Sequence, residues 1–527
     1  MTGIVWTRRA ACLLGLVALA GLLAACNGSD VAAASGSSHT LLDALAPEVA
    51  NVDAAGLSRL ELAMPQSAAL TGLTSMPTCG VRVEKLLYAT IAADGSPATA
   101  SGALFLPSGS AAICQGSRPI VLYAHGTSSD RAYDLSNIND TQQSAHAEAM
   151  LLAALFVSQG YIVVAPNYVG YDSSDQSVHP YLVARQQSQE MLDVLTAARE
   201  DLMRLHDAGV RDRGQLFVTG YSEGGYVAMA TLHALDARGT PATAAAPMSG
   251  PYALEAFSDS MFLGQVTLGA TVYTPLITAA YEAMTHGAID TAAIFTPTYA
   301  TGIASLLPSN TPLSSLFASG RLPQSALFQA SPTGNASLDA LSPPSPLFAF
   351  GFASQDYLIR TDFRAAYVAD AQAHPDGAVP VLSAAPYPAA APANLLRQTF
   401  KANDLRTYVP RSPLLLCGGH ADPEVPFAVN ALPMMRSLDL AATAPAHALL
   451  DIDASSGGSG LQGQGFTPVQ WSQLLALAQT PRQAYTQAQA ALAASQGVVA
   501  AIEAYHSQAA PYCALVARGF FDLYGGT

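Results

Sequence analysis

The chain has 527 residues, a net charge of −15, half its residues hydrophobic, 12% charged, and lysine only at Lys85 and Lys401. That length suits a large catalytic domain with insertions, and the apolar content is enough for a large core. Charged residues usually make up about 25% of a domain; here they are sparse, acidic on balance and never gathered into a Lys/Arg run. A nucleic-acid partner is therefore excluded, and heptads, repeats and zinc-type Cys/His spacings are absent from the sequence.

At the N-terminus, Arg8 and Arg9 precede an apolar run from Ala10 to Ala25. The run is short of the ~20 residues that span a membrane. A charged start, an apolar middle and small residues before a cut site predict an export signal over residues 1–25. Leu23-Ala24-Ala25-Cys26 resembles a bacterial lipobox, which implies diacylation of Cys26 and a membrane partner through that anchor. Asn27 differs from the aspartate that retains such proteins at the inner membrane, so the outer membrane is expected. A plain signal cleaved elsewhere and an uncleaved anchor are the alternatives. Residues 26–76 read as tether and N-terminal extension. Asn27 to Ser38 is Gly/Ser/Ala-rich, as a flexible linker is, and Leu41 to Met76 reads as mixed helix and loop.

Two strands are predicted next, Val81 to Ile91 and Ala98 to Leu106, joined by the turn signal Asp94-Gly95-Ser96-Pro97. From Pro119 strands and helices alternate: strand Ile120 to Ala124, helix Ser144 to Gln159, strand Ile162 to Ala165, helix Leu182 to Leu205, strand Leu216 to Thr219, then a helix from Gly225. Thr243 to Met248, Leu414 to Cys417 and His447 to Ile452 complete the strands. Such alternation predicts an α/β fold, a mostly parallel sheet with helices on both faces. The core is expected over 77–250 and 411–527. A mainly helical cap fills 251–410, with a second independent domain as the alternative. A further insertion, 454–500, opens with the Gly/Ser loop Ser455 to Gly465, and the chain closes with a helix from about Ala510 to Leu523.

Gly220-Tyr221-Ser222-Glu223-Gly224 fits the G-x-S-x-G nucleophile elbow. The pattern alone is weak among 41 glycines, but strand-like Leu216-Phe217-Val218-Thr219 precedes it and helix-compatible Tyr226 to Ala230 follows. Ser222 is the expected nucleophile. A serine hydroxyl needs a base to take its proton, and with such an elbow the acid and then the histidine follow in the chain. Asp422, in the loop after Leu414 to Cys417, is the expected acid, with Glu424 second. Order leaves His447 and His506 as bases; His447 opens a strand, whereas His506 lies in Tyr505 to Pro511, read as a loop before the last helix. The oxyanion is expected to bind the backbone N–H of Glu223 and that of Thr127, with Gly126 as the second choice for the latter. His125 is expected to shape that loop.

Cys12 lies in the signal. Cys79, Cys114, Cys417 and Cys513 allow three pairings. Cys79 and Cys114 flank the predicted hairpin, and Cys417 and Cys513 flank the acid and histidine segments, so Cys79–Cys114 and Cys417–Cys513 are expected.

The His125-Gly126 loop, the Gly-Tyr-Ser-Glu-Gly-Gly elbow, His179-Pro180-Tyr181, the long cap and the late His506 before Pro511-Tyr512-Cys513 resemble the lipase A-like secretory lipases of the α/β-hydrolase superfamily and related bacterial lipoprotein esterases. The likeness runs from about Val81 to the C-terminus. It implies a capped pocket for acyl chains, a small-molecule or lipid ester as substrate, and no cofactor or metal. The stretch between the last strand and His506 is longer than the simplest members have. Two other readings stand beside the esterase: a serine peptidase of the prolyl or aminopeptidase type, which shares fold and triad, and a non-catalytic surface protein on a hydrolase scaffold. The cap carries few charges and many apolar residues (Phe257, Phe262, Phe295, Phe317 and Phe328 among them), which favours an acyl chain, although those aromatics are expected as cap core more than as pocket lining.

Overall fold

A computed structural model of the chain describes residues 40–63, 76–205, 209–341, 346–379 and 387–527. The expected export signal and Cys26 lie outside the described residues. In chain order the strands of the main sheet are β1 (Glu48–Val52), β2 (Gly80–Ile91), β3 (Pro97–Ser108), β4 (Gly116–Ala124), β5 (Ile162–Pro166), β6 (Val210–Tyr221), β7 (Ala244–Met248), β8 (Leu414–Gly418), β9 (His447–Asp451) and β10 (Leu461–Gln464). They lie side by side as β1-β2-β3-β5-β4-β6-β7-β8-β9-β10. Neighbours from β5 across to β9 run parallel, and the two ends are antiparallel. Helices pack on both sides. The principal ones are α1 (Ala54–Ala63), α2 (His146–Leu155), α3 (Ala184–Arg204), α4 (Glu223–Ala237), α5 (Leu254–Phe262), α6 (Ala270–Met284), α7 (Thr361–Ala373), α8 (Leu395–Ala402), α9 (Ala431–Leu440), α10 (Pro468–Gln496) and α11 (Val498–Asp522).

The parallel strands are short apolar runs because both of their faces are covered. Every residue of β5, β7, β8 and β9 is buried. The β2–β3 hairpin closes at Gly95, whose φ of +83° suits glycine, while Asp94 accepts bonds from the Ser96 amide and hydroxyl. Cys79 and Cys114, at the two open ends of that hairpin, are joined in a disulfide. Between β7 and β8 lie α5 to α8 and several shorter helices, with one two-residue parallel pair, Phe328–Gln329 against Phe352–Ala353.

Three sequence expectations are corrected. Leu41 to Met76 is not only helix and loop, because β1 pairs with β2. It is an edge strand that buries Ala50 alone, too little for an alternating pattern to show. The Gly/Ser loop Ser455 to Gly465 contains β10, an exposed edge partner of β9. And Tyr505 to Pro511 is not a loop: α11 begins at Val498 and runs through Pro511. Proline removes an N–H and crowds the carbonyl one turn earlier. Here the tyrosine hydroxyls of Tyr485 and Tyr221 donate to the Tyr505 and His506 carbonyls at 3.1 and 2.6 Å, so this part of the helix gains side-chain donors.

Candidate active site

β6 ends at Tyr221 and α4 begins at Glu223, so Ser222 carries the whole reversal, at φ 60° and ψ −123°. A non-glycine residue with positive φ is strained. The surrounding glycines let the backbones come close enough to hold it. A Cβ on Gly220 would stand 2.3 Å from the Gly224 carbonyl oxygen, one on Gly224 1.9 Å from the Ala124 oxygen, and one on Gly225 2.2 Å from the Met248 oxygen. The Ser222 amide donates to the Met248 carbonyl at 2.9 Å, which ties the elbow to β7.

Asp422 lies in the loop after β8. Its Oδ1 accepts from the amides of Glu424 and Val425 at 2.9 and 3.0 Å, and its Oδ2 meets His506 Nδ1 at 2.6 Å. Both side chains are buried. Burial opposes a charged imidazole, yet the Asp422 carboxylate outweighs it and pushes His506 up to about 9. The other ring nitrogen, Nε2, is buried with no hydrogen-bond partner among the described residues. His506 lines a cleft that Ser222 also lines. Glu424 makes no hydrogen bond to His506; it accepts from the Tyr273 hydroxyl at 2.8 Å. His447 is bound to Asp439 and the Pro445 carbonyl.

The loop after β4 passes against Ser222: a Cβ on Gly126 would lie 3.8 Å from that of Ser222. The Gly126 amide is engaged with Glu148 of α2 at 3.3 Å, whereas among the described residues no acceptor takes the amides of Thr127 or Glu223. His125 is fully buried, stacked between Tyr133 and Tyr168, with its nitrogens against the Gly126 and Asn167 carbonyls. Burial lowers its pKa, and the ring acts as a brace for the loop.

Several supports were invisible in the sequence because they come from distant segments. The Glu223 carboxylate meets His179 Nε2 at 2.6 Å and Gln187 Nε2 at 2.7 Å, fixing the first turn of α4 from behind. Glu148 accepts from the hydroxyls of Tyr123 and Tyr133 as well as from Gly126. Tyr505 donates to Asp453 at 2.9 Å and accepts from the Ala421 amide, which clamps the acid loop against α11. Only His179, through the His-Pro-Tyr motif, gave any sign of itself. The Cys417–Cys513 disulfide joins the end of β8 to α11, as its placement in the sequence led one to expect.

Two cavities meet at Ser222. One, about 790 Å³ counting its open mouth, runs under the β7–β8 insertion and is lined mainly by apolar side chains such as Leu254, Phe257, Phe262, Ile277 and Phe400. Two of the five phenylalanines noted in the sequence thus face it; Phe295 and Phe328 are insertion core. The other, about 1260 Å³ on the same measure, is a wider cleft bordered by Thr127, Glu148, His506 and Gln508. No group of three or more His, Cys, Asp or Glu among the described residues is placed to hold a metal ion.

Residues 136–247, from the loop beyond Thr127 through the elbow to β7, match the family described as Secretory lipase. Among solved structures, the rice cell wall degrading esterase LipA from Xanthomonas oryzae is similar at 26% identity and a TM-score of 0.60, over 80% of this chain and 92% of that one. A Legionella pneumophila protein described as a hydrolase shares the fold at 21% identity and a TM-score of 0.56, over 77% of this chain and 90% of that one. No curated protein matches the chain.

Proposed function

The chain is a member of the α/β-hydrolase superfamily, and we propose that it is a serine carboxylic ester hydrolase, an esterase or lipase working through an acyl-enzyme on Ser222. The observation that carries this reading is the 2.6 Å bond from His506 Nδ1 to Asp422, which leaves Nε2 buried and without a partner among the described residues, on a side chain that lines the same cleft as Ser222. His506 takes the Ser222 proton as Oγ attacks the ester carbonyl, and Asp422 holds the tautomer and stabilises the imidazolium. The amides of Glu223 and Thr127 bind the oxyanion, a contribution of about 10²–10³ in rate for each donor. The alkoxide leaves with the proton from His506. Water, deprotonated by the same ring, then frees the acid.

The apolar cavity takes the acyl chain, with residues 251–410 as its cap, and the wider cleft takes the alcohol. The similarity to an esterase at 26% identity supports ester chemistry. The Secretory lipase match and the two disulfides support export, and no helix among the described residues is long and apolar enough to cross a membrane. The N-terminal sequence adds a lipid anchor at Cys26 to this reading, with placement at the outer membrane.

The test is hydrolysis of p-nitrophenyl esters from acetyl to palmitoyl by wild type and Ser222→Ala, beside aminoacyl-p-nitroanilides. Ester turnover that vanishes in the variant is the expected result. Anilide cleavage without ester turnover would overturn the reading in favour of a peptidase, and silence on both would favour a binding scaffold.

A further inference from the structure

The apolar cavity and the outer cleft have three lining residues in common: Ser222, Tyr273 and Glu424. Any ester that reaches across Ser222 from one to the other passes the other two. Tyr273 belongs to α6 in the insertion and Glu424 to the acid loop of the core, so the pair bridges two separate parts of the chain through its 2.8 Å bond. Each partner is fixed from its own side. The Tyr273 ring folds back on Gly269, where an added Cβ would lie 2.4 Å from it, and Gly269 holds φ +75°. The Leu268 amide donates to the Pro423 carbonyl at 3.0 Å, one residue before Glu424. Tyr181 stacks on Tyr273 at 6.4 Å between centroids and accepts from the Thr127 hydroxyl at 3.1 Å. A continuous chain of contacts therefore runs from the oxyanion loop, through Tyr181 and Tyr273, to Glu424 and the acid loop.

Resting on the ester-hydrolase reading, we propose that Tyr273 and Glu424 form a throat opposite Ser222 that determines specificity by limiting substitution at the acyl carbon next to the ester carbonyl. The acyl chain leaves Ser222 toward the apolar cavity, so its first carbons lie against the pair. A straight chain passes. A methyl branch at that carbon meets a tyrosine ring that cannot retreat, being packed on Gly269 and bonded to Glu424. Burial pushes the Glu424 carboxyl up. Neither residue touches the transferred proton, which His506 carries.

The experiment compares p-nitrophenyl butanoate with the 2-methylbutanoate and 2,2-dimethylpropanoate esters on wild type, Tyr273→Ala, Tyr273→Phe and Glu424→Gln. Wild type should prefer the straight chain in kcat/KM by at least about tenfold beyond the preference the same esters show with hydroxide, the usual worth of a methyl group in a shaped pocket. Tyr273→Ala should bring that ratio close to the one the same esters show with hydroxide, mainly through a lower KM for the branched esters. Tyr273→Phe and Glu424→Gln, which remove the bond and keep the bulk, should fall between. A ratio unchanged in all three variants overturns the throat, as does an equal loss on every ester, the mark of a merely structural pair. Loss of all turnover in Glu424→Gln would make Glu424 catalytic and overturn it too. If wild type hydrolyses no ester, it is the ester-hydrolase reading that falls, and the throat falls with it; straight-chain turnover abolished by Ser222→Ala keeps the reading standing whatever the ratios show.

Discussion

On the proposed mechanism His506 faces two demands that pull apart. As a base it must be neutral, yet the Asp422 carboxylate at 2.6 Å favours the charged ring and outweighs the burial that opposes it, pushing the residue up to about 9. The acidic limb of kcat/KM should therefore rise with pH and level off only above about 9. Asp422→Asn keeps the shape and removes the charge. It should lower kcat by about 10⁴-fold and move the limb down toward the ordinary histidine range of about 6.5, as a pH-rate profile of both proteins would show. The same pair bears on folding. The folded-state value lies above the unfolded one, so the pair's contribution is fully present below about pH 6.5 and is lost as pH rises through 9. Denaturation midpoints measured across that window should decline in wild type and stay flatter in the asparagine variant. The identities of Ser222, Asp422 and His506 could be proposed from type and order alone. The braces on them could not, because Glu148, Gln187, Asp453 and Tyr273 acquire their partners only when distant segments meet.

Among the elements, the elbow makes the most rigid demand. Gly224 lies so close to β4 that a Cβ would stand 1.9 Å from a main-chain oxygen, with no flexible side chain to give way. Gly224→Ala should cost at least the upper end of the about 1–3 kcal/mol typical of overpacking, seen as a lower midpoint in urea. The turn at Gly95, with open space around it, should bear alanine with only the cost of its positive φ. The parallel strands were legible in the sequence because burial on both faces leaves continuous apolar runs. β1 and β10 were not, since an edge strand with one covered face, or none, leaves no pattern. The start of α11 was missed because Pro511 reads locally as a break, while packing against α10 and the bridge to β8 hold the helix along its length. That bridge closes a 96-residue separation between the acid strand and the histidine helix. Replacing Cys417 and Cys513 together by serine should cost about 2–5 kcal/mol. It should also lower kcat more than KM, because the Asp422–His506 geometry loosens while the apolar cavity is left in place; steady-state kinetics on one ester would separate the two effects.

For the molecule as a whole, the apolar content foretold a large core and the two disulfides fit an exported chain, but location rests on the first residues, where composition is the sole guide. A single acyl chain binds a bilayer only marginally, whereas two hold firmly, at about 0.8 kcal/mol per buried methylene. A diacylated Cys26 would therefore keep the enzyme on a membrane against any wash that leaves the bilayer intact, salt included. Electrostatics would not help, since the net charge of −15 repels an anionic surface. Cys26→Ser should release active enzyme to the soluble fraction, with the same kcat/KM on a short ester, because the lipid takes no part in the proposed chemistry at Ser222. Detergent-phase partitioning of wild type and variant measures this directly. A variant still found in the detergent phase would mean that the Ala10 to Ala25 run is retained as an uncleaved anchor. A wild type found in the aqueous phase would mean cleavage without lipid, and the enzyme would then meet its esters free in solution.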